Sequence, residues 1–168
     1  MSANILNLDQ VRLQPIAELV PGAPPGYGGA TGEIAQRIGA RKLGYNLTVV
    51  PPGQRAWPFH NHRVNEEMFY VIAGDGELRI GAARHPIRAG DVIACPPGGP
   101  ETAHQIVNTG AVELHYLGVG TCEWPEIVEY PDSGKFGVRA EFEGKAGRLQ
   151  VFRYRGRPET SLDYWDGE

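Results

Sequence analysis

Apolar residues alternate with polar ones over short stretches of this chain, and few stretches show helical spacing. The runs Tyr45–Val50, Phe59–Arg63, Met68–Ile72, Gly76–Ile80, His85–Arg88, Asp91–Cys95, His104–Val107 and Glu113–Val119 each read as a short strand. Glycine or proline stands at almost every junction, and the chain carries 23 glycines and 14 prolines. Gly74-Asp75-Gly76 joins two such runs and reads as a hairpin turn. Eight short strands joined by tight turns suit a two-sheet jelly roll, an all-β class.

The flanks read differently. Residues 1–43 form an N-terminal arm whose Pro21-Gly-Ala-Pro-Pro-Gly-Tyr-Gly-Gly stretch cannot continue as a helix. Glu33 to Ile38 has room for one helical turn. The barrel core is expected over 44–122, with a C-terminal extension over 123–168 that packs on the barrel or on a partner. Within the extension, Leu149–Tyr154 reads as a further strand, and Tyr164-Trp165 are too apolar to stand free in solvent.

Chemistry concentrates in two segments. His60 and His62 are two residues apart, so in a strand both imidazoles leave the same face while Asn61 points away. Glu67 opens the next strand and offers an oxygen. Well downstream, Pro96-Pro-Gly98 turns into a strand that begins at His104. Three nitrogens and one oxygen suit a borderline divalent metal such as Fe, Mn, Ni, Co or Zn. Exposed loop histidines beside a solvated acid are the plainer alternative for the first segment alone.

Together the two segments resemble the cupin superfamily, whose motifs are G-x5-H-x-H-x(3,4)-E-x6-G and G-x5-P-x-G-x2-H-x3-N. His60-x-His62-x4-Glu67-x6-Gly74 fits the first, with one extra residue between Gly53 and His60. Gly90-x5-Pro96-x-Gly98 and His104-x3-Asn108 fit both halves of the second, and fifteen residues from Asp75 to Ala89 separate the motifs. Five residues rather than two lie between Gly98 and His104, which lengthens that loop. Strict counting places Glu101 at the histidine position, but only His104 leads correctly to Asn108. The resemblance implies a small single-domain, metal-binding cupin, a double-stranded β-helix barrel with His60, His62, Glu67 and His104 as ligands.

Alternation then sketches a pocket. With Glu67 inward, Phe69 and Val71 follow it, and with His104 inward, Ile106 follows. Tyr45 belongs to an earlier strand whose inner face the pattern leaves open. Trp57 precedes the first histidine and could border the entrance, with a core or dimer contact as the alternative. His115 in the last barrel strand is a further candidate, against a surface position. The expected occupant is a small-molecule substrate or ligand.

Charge narrows the partners. A formal net charge of −4 argues against nucleic acid or an anionic membrane. No apolar run is long enough to cross a bilayer, and no signal peptide is visible, so a cytoplasmic protein is expected. Cys95 and Cys122 form no C-x-x-C pair and read as inert thiols. Apolar arm and tail segments point to a homodimer. The favoured reading is a metal-dependent, oxygenase-like enzyme. An isomerase or lyase, or a non-catalytic cupin that binds metal and a small ligand, stands beside it.

Overall fold

The computed structural model describes residues 4–144 and 149–168; residues 1–3 of the expected arm and 145–148 of the expected extension lie outside that range. The described chain is almost entirely antiparallel β-structure around one apolar interior. In chain order the strands are β1 (Gln14–Pro15), β2 (Ala30–Glu33), β3 (Leu43–Val50), β4 (Asn61–His62), β5 (Glu67–Ala73), β6 (Asp75–Ile80) and β7 (Ala83–Arg88). They continue with β8 (Val92–Cys95), β9 (His104–Val107), β10 (Leu114–Thr121), β11 (Glu126–Tyr130), β12 (Lys135–Glu143) and β13 (Leu149–Gly156). One wall of the barrel is a six-stranded sheet in the order β1-β2-β3-β10-β5-β8. The other wall combines β7-β6-β9 with β13-β12-β11-β4. Reciprocal backbone hydrogen bonds between His60 and His104, 3.2 and 2.8 Å, join these two parts.

The interior is filled where the walls face each other. Val50, Val71 and Leu114 are fully buried and Tyr116 nearly so, with Phe69 and Ile106 in the same cluster. β3 is buried on both faces over its second half because the N-terminal arm covers its outer side. There Val11 and Ile34 pack on Leu47, with Tyr45 and Leu117 beside them. Among its described residues the arm holds one short α-helix, Ile16–Leu19, and 3-10 turns at Leu8–Gln10 and at Gln36–Ile38, the latter within the stretch expected to form one turn.

Two local expectations are corrected. Gly74-Asp75-Gly76 is not a hairpin: β5 pairs with β8 and β10, whereas β6 pairs with β7 and β9. The chain crosses from one wall to the other there. Gly74 has φ +82°, and a Cβ on it would lie 2.4 Å from the Glu113 carbonyl oxygen, so a side chain is excluded on both counts. The C-terminal extension supplies three strands rather than one, and β11 pairs with β4, next to the histidines. Both β11 and β12 stay half exposed and rich in charge, which weakened their strand signal.

Candidate metal centre

β4 presents His62, and the adjoining bridge residue His60, on one face, while buried Asn61 points away and donates to the Gly98 carbonyl and to Glu129. β5 begins at Glu67 and β9 at His104. All three imidazole Nε2 atoms gather on Oε2 of Glu67: His104 at 3.0 Å, His62 at 3.2 Å and His60 at 3.8 Å. The ligand-type atoms of His60, His62 and Glu67 lie within 4.8 Å of one another, a grouping that could hold a metal ion. His104 lies deepest, with 4% side-chain exposure, against 17% for His60 and His62 and 25% for Glu67. The cluster is therefore closed below and open on one side.

The surroundings orient these rings. His60 Nδ1 lies 2.8 Å from the Pro58 carbonyl oxygen; donation there leaves Nε2 as the free nitrogen facing the cluster. Burial lowers the His60 pKa to about 4, with the His104 charge adding to the effect, so the ring is neutral near pH 7. Burial would lower His62 as well, but the carboxylates of Glu126 and Glu67 outweigh it and lift His62 to about 9. Burial works to raise Glu67, yet the hydrogen bond with His104 and the close His62 ring hold it well below the usual carboxylate range. A carboxylate among crowded imidazoles, with the buried His62 Nε2 lacking a hydrogen-bond partner, is a donor set matched to a divalent cation.

Glu126 is the residue that the sequence reading missed. It is 3% exposed, and its Oε2 lies 3.7 Å from His62 Nδ1. Its oxygens accept the backbone N–H groups of Arg63, Val64 and Asn65, so it also pins the loop between the histidines and Glu67. The alternation of Glu126, Val128 and Tyr130 could have signalled a shared face, had 126–130 been read as a strand. Tyr130 stacks at 6.2 Å from the His60 ring. Asn46 and Thr48 add a polar line to the interior: the Thr48 hydroxyl donates to the Asn46 amide oxygen at 2.9 Å.

The other expected residues divide. Phe69 sits beneath the cluster, 5.6 Å from the His104 ring and edge-on to Tyr116, and Ile106 belongs to the same interior. Trp57 packs against that interior and lines a cavity of about 380 Å³ between the arm and the β11–β12 turn, with Tyr27, Phe59 and Tyr130. Tyr45 and His115 are corrections. Tyr45 points to the outer side of β3, into the cluster under the arm, because Asn46, Thr48 and Val50 take the inner side. His115 also points outward, since Leu114 and Tyr116 face the interior, and it pairs with Glu113 at 3.2 Å. Glu101 is exposed and accepts the Gly99 N–H within its own 3-10 turn, Pro100–Thr102, away from the ligand role that strict counting suggested. A second hollow, about 310 Å³, opens over β11, β12 and β13 between Val128, Tyr130, Arg139, Arg153 and Arg155.

Comparison with known proteins agrees with this architecture. A family model described as the cupin domain matches residues 46–120. The oxalate-binding protein of Thermotoga maritima is 34% identical over 70 residues, 42% of this chain and 54% of that protein. The chain spans about half the length of the curated relatives it matches. A solved sugar phosphate isomerase from Silicibacter pomeroyi superposes with a TM-score of 0.74 at 24% identity, covering 96% of this chain and 98% of that one. A protein from Acidithiobacillus ferrooxidans, provisionally named for the same activity, gives 0.70 at 25% identity over 89% and 91% of the two chains. No helix among the described residues is long and apolar enough to cross a membrane.

Proposed function

We propose that this chain, whose residues 46–120 match the cupin domain, is a metal-dependent cupin enzyme that moves a proton on a small oxygen-rich substrate, an isomerase- or lyase-type reaction. The observation that carries this reading is the gathering of three imidazole nitrogens on one carboxylate oxygen at a rim open on one side. His60, His62, Glu67 and His104 would hold the metal, which when bound supplies Lewis acidity to a substrate oxygen. Phe69 and Tyr116 fill the barrel below, so the substrate stays at the rim, against Tyr130 and Val128. Asn46, with its amide oxygen already engaged by Thr48, keeps its amide nitrogen free to donate to a bound oxygen. The solved structures that overlay most of the chain support a proton shift beside a carbonyl, because that is the chemistry of sugar phosphate isomerisation.

The test is exchange in D2O. Protein loaded with Zn, Mn, Ni or Fe is incubated with small hydroxy-aldehyde and hydroxy-ketone phosphates, and deuterium uptake at carbon is followed by NMR. Uptake that vanishes in His62→Ala supports the reading. Oxygen consumption without exchange would favour the second, oxygenase-like reading, which the mixed histidine and carboxylate donor set also suits. Tight binding with neither reaction would leave a ligand-binding cupin.

A further inference from the structure

The β12–β13 hairpin has two faces of opposite character. Register fixes which residues share a face: His62 pairs with Val128, Val128 with Gly137, and Gly137 with Arg155. Residues paired across neighbouring strands project to the same side. Arg155 therefore stands on the face that carries His62. Arg153 and Arg139, paired with each other and in step with Glu126, stand there too. This face borders the 310 Å³ hollow that Val128 and Tyr130 share with the metal centre's rim.

Gly137 decides where Arg155 lies. A Cβ on Gly137 would meet Arg155 Cγ at 3.6 Å and Nε at 4.0 Å, so the arginine crosses the bare strand toward β11 instead of extending away from it. Among the described residues no carboxylate lies within 4.0 Å of Arg153 or Arg155, whereas Arg139 pairs with Glu141 and covers the Trp124 ring at 4.6 Å. Two unneutralised guanidinium groups beside a third thus face one hollow in a chain of net charge −4. Such forks match the oxygens of a tetrahedral dianion, and their summed charge suits a dianion better than a single carboxylate.

We propose that Arg155 and Arg153 bind the phosphate group of a small phosphate ester whose other end reaches the histidines. The placement rests on the reading of the metal rim as the reaction centre. Two strand spacings separate His62 from Gly137, on the order of 10 Å, roughly the span of a short sugar phosphate with its binding side chains. Gly137 is the specificity feature: a Cβ there would sit at ordinary contact distance from Arg155, but a bulky side chain would fill the approach.

The probe is glycerol 3-phosphate, with glycerol and acetate as controls, titrated into metal-loaded protein while the arginine Nε–H signals are followed by NMR. Glycerol 3-phosphate should shift the signals of Arg155 and Arg153, and neither control should. The double variant Arg153→Ala/Arg155→Ala, altered only at exposed positions of an edge strand, should lose at least about tenfold in affinity with its circular dichroism unchanged. Gly137→Leu should weaken binding while both arginines remain. His62→Ala should keep the arginine shifts, which separates this site from the metal; an absence of deuterium exchange would then count against the reaction and not against the phosphate site. Unchanged affinity in the double variant, an equal response to acetate, or loss of all binding in His62→Ala would each overturn the proposal.

Discussion

The β3–β10–β5 wall and the β11–β12–β13 wall flank the same histidines, yet they are stabilised differently. The first is sandwiched: its inner face meets the filled interior, and the arm covers β3 from outside. Val50, Val71 and Leu114 have no exposure at all. In the second wall every residue of β13 from Leu149 to Arg155 is exposed, and Phe142, Phe152 and Tyr154 lie on its outer side uncovered. It is held by its backbone ladder, eight paired positions between β12 and β13, and by the anchoring of β11 to β4. The difference separates two tasks. Burial sets the position of Glu67 and His104, while the open wall offers charge and an approach route.

The largest effect expected belongs to the place where the walls meet. His62→Ala should remove most of the bound metal, read by elemental analysis, while the far-UV spectrum stays that of the native barrel. Full occupancy in that variant would end the ligand assignment. Next in size is the sandwiched wall itself. Leu114→Ala opens a void in a fully buried site and should cost about 2–5 kcal/mol in denaturant unfolding. A loss under about 1 kcal/mol would mean that the interior relaxes around the void and that this wall is less rigid than its packing suggests.

The two walls also differ in how far the sequence reveals them. All eight barrel strands were legible, and His104–Val107 was bounded without error, because glycine and proline bracket runs of apolar residues. The metal-ligand candidates were legible too, since strand geometry ties His60 to His62 and spacing ties Glu67 and His104 to strand starts. Tyr45 was left without a face for a physical reason: the inner side of β3 carries polar Asn46 and Thr48, while the side under the arm carries Tyr45, Leu47 and Val49, so alternation alone does not tell inside from outside. His115 stood as a pocket candidate against a surface position because one polar residue in a strand fits either, and the structure turns it outward. β11 and β12 went unread although β12 alternates, because both stay half exposed and neither presents a continuous apolar face to the barrel interior. Glu126 went unnoticed with them.

Glu126 joins the two walls, which gives a middle-sized prediction. Glu126→Gln keeps the size of the side chain but removes the charge near His62 Nδ1 and one acceptor for the loop amides. Metal affinity should fall about 10- to 100-fold, as is usual when a residue that orients a ligand is altered. Burial alone would raise the Glu126 pKa, but contacts with His62 and Asn65 hold it below the ordinary carboxylate range. A lowered carboxylate stabilises the native state above its unfolded pKa, and that contribution is lost as pH falls through the lower, native value. The variant's stability should therefore decline less than that of the native chain as pH falls through the carboxylate range. Parallel acid-unfolding curves would contradict this account.

The smallest effect on the isolated chain is expected on the open wall. Phe152→Ala acts at a side chain 52% exposed, so it should change the unfolding free energy of a monomer by no more than about 0.5 kcal/mol. Leu162, Tyr164 and Trp165 are more exposed still, while the arm is already committed to its own barrel through Val11 and Ile34. We propose that the outer face of β12–β13 and the Trp165 segment are covered by a second copy of the chain, leaving the arginine face free. Light scattering at micromolar concentration should then give twice the single-chain mass of 18.3 kDa. The double variant Phe152→Ala/Trp165→Ala should shift that equilibrium toward the single chain and weaken the concentration dependence of the melting temperature that a native dimer shows, although neither substitution disturbs the barrel. A native mass of 18.3 kDa would leave these aromatic residues exposed in solution and end the case for a dimer built on this wall.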